Sequence, residues 1–235
     1  MVVPSRGRPG NIARLRDSMS ETCTGDTTLI VGLDADDITR GSYPADVVYE
    51  VRDGIRKVTA WCNELAVPRA KDYRYIGHFG DDNVPRTPSW DTRIMAALEH
   101  TPFAFANDQY PSRQPGTLSC HIFMRSEVVE ALGYFGPPSI AHMFVDVAWM
   151  AWGTACGITY LNDVLIPHLH YTSGGSAHDA TYATSLAGTA ADLEAWLAYC
   201  SSGELNKDIR KLGGRPFSKD AITQFNWDLN IPAHW

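Results

Sequence analysis

Short apolar runs alternate along the chain with segments whose apolar residues recur every three or four positions. The runs MVV, TTLIVGL, DVVYEV, YRYIGHF and PFAFAN are short, and several are rich in the β-branched residues of buried strands. Segments such as NIARLRDSM, with Ile12, Leu15 and Met19 on one helical face, lie between them. This alternation predicts an α/β, Rossmann-type sandwich with a mainly parallel central sheet flanked by helices.

Two further segments have helical spacing. GIRKVTAWCNELAV places Ile55, Val58, Cys62 and Leu65 at positions that predict burial on one side of a helix. VDVAWMAWGTA is almost wholly apolar and contains a single acid, Asp146. An unpaired carboxylate is costly to bury, so Asp146 is predicted to be exposed, paired or functional.

The C-terminal part has fewer strand signals. ITYLNDVLIPHLHY predicts one or two strands that end in His168 and His170, and HYTSGGSAHDATY is a Gly- and Ser-rich loop, a candidate mobile segment. TAADLEAWLAYC predicts a late helix with Thr189 and Asp192 as a capping box. We therefore expect a main domain over residues 1–180 and a helical extension over 181–235 packed on the same domain.

Composition narrows the class of protein. The chain has 235 residues, of which 44% are hydrophobic, as expected for a globular protein with a sizeable core. No apolar run has the length of a membrane span, and the N-terminus MVVPSRGRPG is too short and polar for a secretory signal. A cytoplasmic protein without a membrane anchor is expected. Its five scattered cysteines form no CxxC pair, which argues against a disulfide framework or a structural zinc cluster.

The net charge of −7 argues against general binding to nucleic acid. A local exception is the segment NKDIRKLGGRPFSK, which carries Lys207, Arg210, Lys211, Arg215 and Lys219. This basic segment is either a solvated helix and turn or a patch that faces an anionic ligand or acceptor.

Charged clusters follow three of the predicted strands, where ligands bind in parallel sheets. The cluster PSRGRP after the first strand contains Pro4, Ser5, Arg6 and Arg8. The cluster LDADD at the second strand contains Asp34, Asp36 and Asp37, and GDDN after the fourth contains Asp81, Asp82 and Asn83. Arginines suit phosphates or base edges, and carboxylates can bind a base or a ribose hydroxyl. A solvated turn is the alternative for each cluster.

Adjacent carboxylates such as Asp81 and Asp82 repel each other unless a cation lies beside them. Mg²⁺ and Mn²⁺ take oxygen ligands and keep open positions for phosphate, so this pair could hold either ion against a diphosphate.

The histidines of the segment PHLHY offer further ligands. His168 and His170 are predicted to lie on one face of a strand, where the pair could bind a metal, although a hydrogen-bonded core histidine is the alternative. His178 and Asp179 in the next loop could add a ligand or close over the site.

Taken in order, these motifs resemble the GT-A glycosyltransferases, in particular family-2-like members, over roughly residues 1 to 175. Members begin with a strand and a turn like VVPSRGRPGNIARL, carry an acid for the nucleotide base after the second strand, and have an Asp-x-Asp-type motif after the fourth. The counterpart here, FGDDNV, has Gly80 where many members carry the first acid.

The resemblance implies a transferase that moves a sugar from a nucleotide-diphosphate sugar, with a UDP-sugar as the family-level expectation, to an acceptor hydroxyl. Mn²⁺ or Mg²⁺ would be the cofactor. The implied donor-binding residues are Pro4, Ser5, Arg6, Arg8, Asp34, Asp36 and Asp81. The implied metal ligands are Asp81, Asp82, His168 and His170. Asp146 would be the base of an inverting reaction, although the adjacent second acid common in the family is absent.

The acceptor stays open. A hydroxylated base in DNA is one candidate, as in bacteriophage glycosyltransferases that modify their own genomes, and would place the protein in the host cytoplasm. Polysaccharide and lipid-linked acceptors are the others.

Two functions from other classes compete with transfer. In a haloacid-dehalogenase-like phosphatase, which the run TLIVGLDADDI resembles, Asp34 would be the nucleophile and Asp36 the acid/base, with Asp81 and Asp82 as metal ligands. A non-catalytic nucleotide-sugar-binding protein would keep the acids that bind the nucleotide but would lack a working catalytic base.

Overall fold

A central sheet organises the residues that the computed structural model describes, which are 1–110 and 116–231. The strands are β1 (Val2–Ser5), β2 (Ile30–Asp34), β3 (Val48–Arg52), β4 (Tyr75–His78), β5 (Phe103–Asn107), β6 (Ile122–Arg125) and β7 (Ile158–Leu165). Their order across the sheet is β3-β2-β1-β4-β6-β5-β7. All neighbours pair in parallel except β6, which is antiparallel to both β4 and β5. The predicted α/β class with a mainly parallel sheet is confirmed.

Helices cover both faces of this sheet. They are α1 (Pro9–Thr22), α2 (Val58–Ala66), α3 (Trp90–Leu98), α4 (Ser126–Leu132), α5 (Val145–Cys156), α6 (Ala180–Ala187), α7 (Thr189–Ser201), α8 (Glu204–Lys211) and α9 (Lys219–Asp228). Successive strand residues point to opposite faces. Accordingly Val2 and Ile30 lie in one hydrophobic core, whereas Val3 and Val31 lie in the other.

The helix α1 forms as its pattern predicts. Ile12, Leu15 and Met19 are buried in the same core as Val3. Pro9 occupies the first helical position, where its fixed φ fits and its missing N–H removes no helical hydrogen bond. The residues just before this helix, which carry the arginines of the turn, are therefore fixed relative to β1.

The predicted burial of Ile55 was wrong, because α2 begins only at Val58. The side chain of Ile55 is 66% exposed, whereas Cys62 and Leu65 are fully buried. Gly54 has a positive φ of 78°, and the backbone N–H of Arg56 donates to the Asp34 carboxylate at 3.2 Å. This segment is therefore held as a loop by the end of β2 instead of continuing the helix.

The predicted capping box of Thr189 and Asp192 was also wrong. Gly188 precedes the first turn of α7 without a side-chain cap. The buried Asp192 carboxylate instead accepts the backbone N–H groups of residues 141, 142 and 143 at 2.9, 3.1 and 2.8 Å. These charge-assisted hydrogen bonds tie α7 to the segment that leads into α5.

The C-terminal helices pack on the core of the sheet. Trp196, Leu205 and Ile209 are buried in the core cluster that contains Val2. The C-terminal helices thus pack against the sheet as far as residue 231, and residues 232–235 lie outside the described part. In the described ranges, no helix has the length and apolar character needed to cross a membrane. All five cysteines are free thiols.

A buried histidine, His78, ends β4, and two residues separate it from the acid pair. His78 is 5% exposed, its Nδ1 lies 3.4 Å from the Cys62 sulfur, and its ring lies 5.3 Å from that of Trp149. Burial lowers the pKa of His78 from 6.5 to about 3. The imidazole is therefore neutral in the folded protein at neutral pH.

This histidine is expected to make the protein acid-sensitive. Between 6.5 and about 3 the unfolded His78 binds a proton that the folded one does not, so stability falls as pH falls. From pH 7 to pH 5 the loss attributable to His78 is about 2 kcal/mol. Urea unfolding at both pH values measures it. The variant His78→Leu should lose this part of the pH dependence and the exposed-site control His100→Gln should keep it; equal pH dependence in all three proteins would contradict the assignment.

Candidate active site

The carboxyl ends of β2, β1 and β4 lie side by side and carry the three predicted charged clusters. The chain order of the strands reverses between β1 and β4, which is where open α/β sheets bind their ligands. Ser5 ends β1, Asp34 ends β2, and Asp81 follows β4 after two residues. All three side chains are buried.

Asp81 is held from the β1 side of this edge. Its Oδ2 accepts the hydroxyl of Ser5 at 2.7 Å. Its Oδ1 accepts Nη1 of Arg8 at 3.0 Å and lies 3.5 Å from Nδ2 of Asn11. The turn PSRGRP and the start of α1 therefore converge on the first carboxylate of the acid pair.

Asp82 is held from the C-terminal half of the chain. Its Oδ2 accepts the hydroxyl of Tyr182 at 2.7 Å, and its Oδ1 lies 3.1 Å from Nε2 of His168. The backbone N–H of Leu169 donates to the Asp82 carbonyl at 2.9 Å, and His168 pairs with Asn83 in an isolated antiparallel bridge. This bridge brings the histidine to the acid.

The prediction that both histidines lie on one face of a strand was wrong. β7 ends at Leu165, and Pro167, which has no N–H to donate, follows it. His170 lies just before a 3-10 turn (Tyr171–Ser173), and its Nδ1 contacts the hydroxyl of Thr172 at 2.7 Å. Its ring lies 5.1 Å from that of His168.

The acid pair and His168 have strongly perturbed pKa values. Burial and the neighbouring Asp82 charge raise the pKa of Asp81 to about 6. Burial also acts to raise the pKa of Asp82, but His168, Tyr182 and Arg8 outweigh it and hold that pKa well below its usual range. Burial acts to lower the pKa of His168, whereas Cys120 and Asp82 raise it well above its usual range. The charged forms of Asp82 and His168 thus stabilise each other at neutral pH.

The donors present suit a hard divalent cation. Carboxylate oxygens and imidazole nitrogen are ligands that Mn²⁺ and Mg²⁺ accept, and a cation would relieve the repulsion that raises the pKa of Asp81. Within the two described ranges, however, no three such ligands already stand at metal-binding distances. Tyr182 and His168 already contact the two oxygens of Asp82, so a cation would compete with them for this carboxylate.

Arg6, in the cluster after β1, links that cluster to the acids at the end of β2. Arg6 donates to Asp34 at 2.9 Å and to both oxygens of Asp36 at 2.6 and 3.0 Å. The other Asp34 oxygen accepts the indole N–H of Trp61 at 3.0 Å and the backbone N–H of Arg56 at 3.2 Å. Asp34 is buried, whereas the side chain of Asp36 is 52% exposed. Asp36 is therefore the acid of this pair that a ligand can reach.

The turn that carries both arginines is fixed by a buried acid. Gly7 has a φ of 72°, which favours glycine, and its N–H donates to the Asp37 carboxylate at 2.8 Å. Tyr43 donates to the same carboxylate at 3.2 Å. Pro4, predicted to bind the donor, lies within β1 opposite Gly32.

Asp146 lies at the same end of the molecule, in the first turn of α5. The preceding Phe144 has a left-handed φ of 69°, and Asp146 Oδ1 accepts the N–H of Val147 at 3.0 Å. Nδ1 of His142 lies 3.0 Å from the hydroxyl of Ser185. Burial lowers the pKa of His142, whereas the charges of Asp146 and Asp82 act to raise it. His142 therefore lies within electrostatic range of both the acid pair and Asp146.

Comparison with solved structures identifies the fold. No protein-family model and no curated protein matches the chain. The structure of S. aureus TarS 1-349 in complex with UDP superposes with a TM-score of 0.51 at 11% identity, over 70% of this chain and 58% of that one. The mannosyltransferase PcManGT from Pyrobaculum calidifontis, in complex with GDP-Man and Mn²⁺, gives 0.53 at 12% identity, over 98% of this chain and 83% of that one. This chain has the GT-A fold. It spans little more than half the length of the TarS fragment.

Within this GT-A fold, several groups at the site were not singled out from the sequence: Asn11, Tyr43, His142 and Tyr182. A signal for Tyr182 was present, because Asp179 begins α6 as its N-cap and accepts the N–H of Tyr182 at 3.0 Å. An N-cap acid predicts the helix start and hence the side chain three positions on. The predicted mobile loop thus ends in a helix that contacts the acid pair.

Proposed function

We propose that this chain is a glycosyltransferase that moves a sugar from a nucleotide-diphosphate sugar to an acceptor hydroxyl, with Mn²⁺ or Mg²⁺ as cofactor. The observation that carries the proposal is the cluster of the buried Asp81 and Asp82 with the half-buried His168 beside Arg8, at the strand-order reversal of a GT-A fold. This cluster joins oxygen and nitrogen ligands for a cation to an arginine for phosphate.

The two halves of the site suit the two ends of a donor. Asp81, Asp82 and His168 would hold the cation, and when bound it would supply positive charge beside the leaving diphosphate. Arg8 presents a planar fork of donors suited to phosphate oxygens. Arg6 and the exposed Asp36, which pair with each other beside the end of β2, would face the nucleoside.

The donor base is proposed to be uracil, with guanine as the alternative. TarS is in complex with UDP and PcManGT with GDP-Man, and both bases offer ring N–H groups to a carboxylate. Asp36 is the reachable carboxylate at this end of the site. Adenine and cytosine, which lack a ring N–H at the pairing edge, are not expected to bind well.

In the transfer step the acceptor oxygen attacks the anomeric carbon as the bond from that carbon to the diphosphate oxygen breaks. The electron pair of that bond leaves with the nucleoside diphosphate. Asp146 accepts the proton of the acceptor hydroxyl, and attack from the face opposite the leaving group inverts the anomeric carbon. The arginine and the cluster around Asp82 stabilise the charge that develops on the leaving group.

The acceptor is proposed only by class, as a hydroxyl compound. A hydroxylated base in DNA is one candidate. The basic segment that could favour it lies on and after α8, where the Arg215 N–H donates to the carbonyl of Ala155 near the C-terminal end of α5. Asp146 is at the opposite end of that helix, about 14 Å away along its axis. A polyanion bound at both would have to span that distance.

The geometry disfavours the phosphatase alternative. The proposed nucleophile, Asp34, is 2% exposed, and its two oxygens accept donors from Arg6, Trp61 and the backbone of Arg56. A nucleophile needs a free oxygen that the substrate can reach.

A thermal-shift panel tests the proposal. UDP, GDP, ADP and CDP, each with Mn²⁺ or Mg²⁺, are compared with the cation alone. A ligand that binds only the folded state raises the melting temperature by mass action, so UDP or GDP with a cation is expected to raise it by several degrees. Equal shifts with all four nucleotides, or none, would count against a nucleotide-sugar enzyme.

A further inference from the structure

One face of α6 contacts three parts of the candidate site. Asp179, Tyr182 and Ser185 are spaced three residues apart, so they lie on the same side of the helix. Asp179 contacts Arg8, Tyr182 contacts Asp82, and Ser185 contacts His142. Thr181 adds a fourth contact, since its hydroxyl lies 3.3 Å from the carbonyl of Arg6. The helix thus contacts the turn after β1, the acid pair and His142.

Arg8 is fully engaged by this arrangement. Its Nε and Nη2 both donate to the Asp179 carboxylate at 2.7 Å, and its Nη1 donates to Asp81 at 3.0 Å. The guanidinium carbon lies 4.1 Å from the ring centroid of Tyr182. The side chain of Arg8 is only 10% exposed as a result. A bidentate carboxylate takes the same fork of donors that a phosphate would take.

The acid pair is engaged in the same way. The Tyr182 hydroxyl occupies one oxygen of Asp82 and His168 faces the other. Ser5 and Arg8 occupy the oxygens of Asp81. Each group that the proposed function assigns to the diphosphate and the cation therefore already has a partner from this chain.

Charge repulsion prevents Arg8 from binding Asp179 and a donor diphosphate at the same time. Arg8 is the cation that pairs with Asp81 and with Asp179. A diphosphate bound to Arg8 would lie beside the Asp179 carboxylate, and like charges at this separation repel strongly. Donor and Asp179 cannot both bind the same guanidinium fork.

We propose that the first turns of α6 act as an internal competitor of the donor, with the Asp179 carboxylate in the place of a donor phosphate and the Tyr182 hydroxyl on the metal-binding acid. Nucleotide and cation bind once α6 releases Arg8 and Asp82. This inference rests on the proposed function. If the closed arrangement holds about nine molecules in ten, it weakens the apparent affinity about tenfold, because only the open fraction binds.

Calorimetric titration with UDP and Mn²⁺, and in parallel with GDP and Mn²⁺, tests the competition. The proteins are the unaltered chain, Asp179→Asn, Tyr182→Phe and the double variant. Because each variant removes a closing contact and leaves Arg8 and Asp82 in place, the nucleotide should bind several-fold to about tenfold tighter to the single variants. Thr184→Ala controls for a change in α6, and Asp220→Asn controls for the loss of one negative charge elsewhere.

Hydrogen exchange gives a readout that does not depend on binding. Backbone amides of α6 should exchange faster in Asp179→Asn and Tyr182→Phe than in the unaltered chain, with no change in α3.

The outcomes separate the two proposals. If neither UDP nor GDP binds the unaltered chain or any of the variants in the presence of Mn²⁺, the proposed function fails. If the unaltered chain binds but the variants bind equally or more weakly, the proposed function stands and the competitor is overturned. Unchanged exchange of α6 would overturn it as well.

Discussion

Replacing Asp82 by Asn is expected to abolish cation-dependent sugar transfer. The variant keeps the shape of the side chain but removes the charge that pairs with His168 at 3.1 Å and that would bind the cation. A site that develops negative charge on a leaving diphosphate depends on such electrostatic stabilisation, so a loss of about a thousandfold or more in kcat is expected. The measurement is transfer or donor turnover over a range of Mn²⁺ concentrations.

The control for this variant is Asp53→Asn, which removes a carboxylate from an exposed position in the loop after β3. It should leave turnover and its cation dependence unchanged. If Asp82→Asn turned over the donor with the cation dependence of the unaltered protein, Asp82 would not be part of a metal site.

Replacing Asp146 by Asn is expected to remove turnover while leaving donor binding intact. Asp146 lies in the first turn of α5, where its Oδ1 accepts the N–H of Val147, and its charge reaches His142. General-base catalysis typically contributes about a hundredfold to ten-thousandfold, so kcat should fall by that factor. Nucleotide affinity measured by calorimetry should change little.

Glu127→Gln is the matched control, because Glu127 is an exposed acid in the first turn of the neighbouring helix α4. Its kcat should equal that of the unaltered protein. Weakened nucleotide binding with normal turnover in Asp146→Asn would reject the base role and would place Asp146 in the donor site.

The sheet and the strand-end clusters were predictable because they depend on local pattern. Continuous apolar runs predict buried parallel strands, and the carboxyl ends of such strands share one edge. The meeting of Ser5, Asp34 and Asp81 at that edge follows from topology alone. The helix α1 was predictable for the same reason, since Ile12, Leu15 and Met19 repeat at helical spacing.

The contacts that close the site were not predictable in this way. Tyr182 and Asp82 are 100 residues apart in sequence, and their hydrogen bond depends on the path of the chain after β7. The Asp192 carboxylate could accept backbone N–H groups either at the start of its own helix or in the segment before α5. Tertiary packing places it against the segment before α5. Ile55 has helical spacing, but Gly54 and the hydrogen bond to Asp34 keep it in a loop. In each case a long-range polar contact overrides the local pattern.

The proposed function requires a donor that binds at the acid pair, and the most direct test is turnover of that donor without an acceptor. UDP-sugars and GDP-mannose are incubated with the protein, with and without Mn²⁺, and release of the nucleoside diphosphate is measured alongside phosphate release from an aryl phosphate. Slow release of UDP or GDP that requires the cation is predicted, with no hydrolysis of the aryl phosphate. Hydrolysis of the aryl phosphate without release of any nucleoside diphosphate would contradict the account.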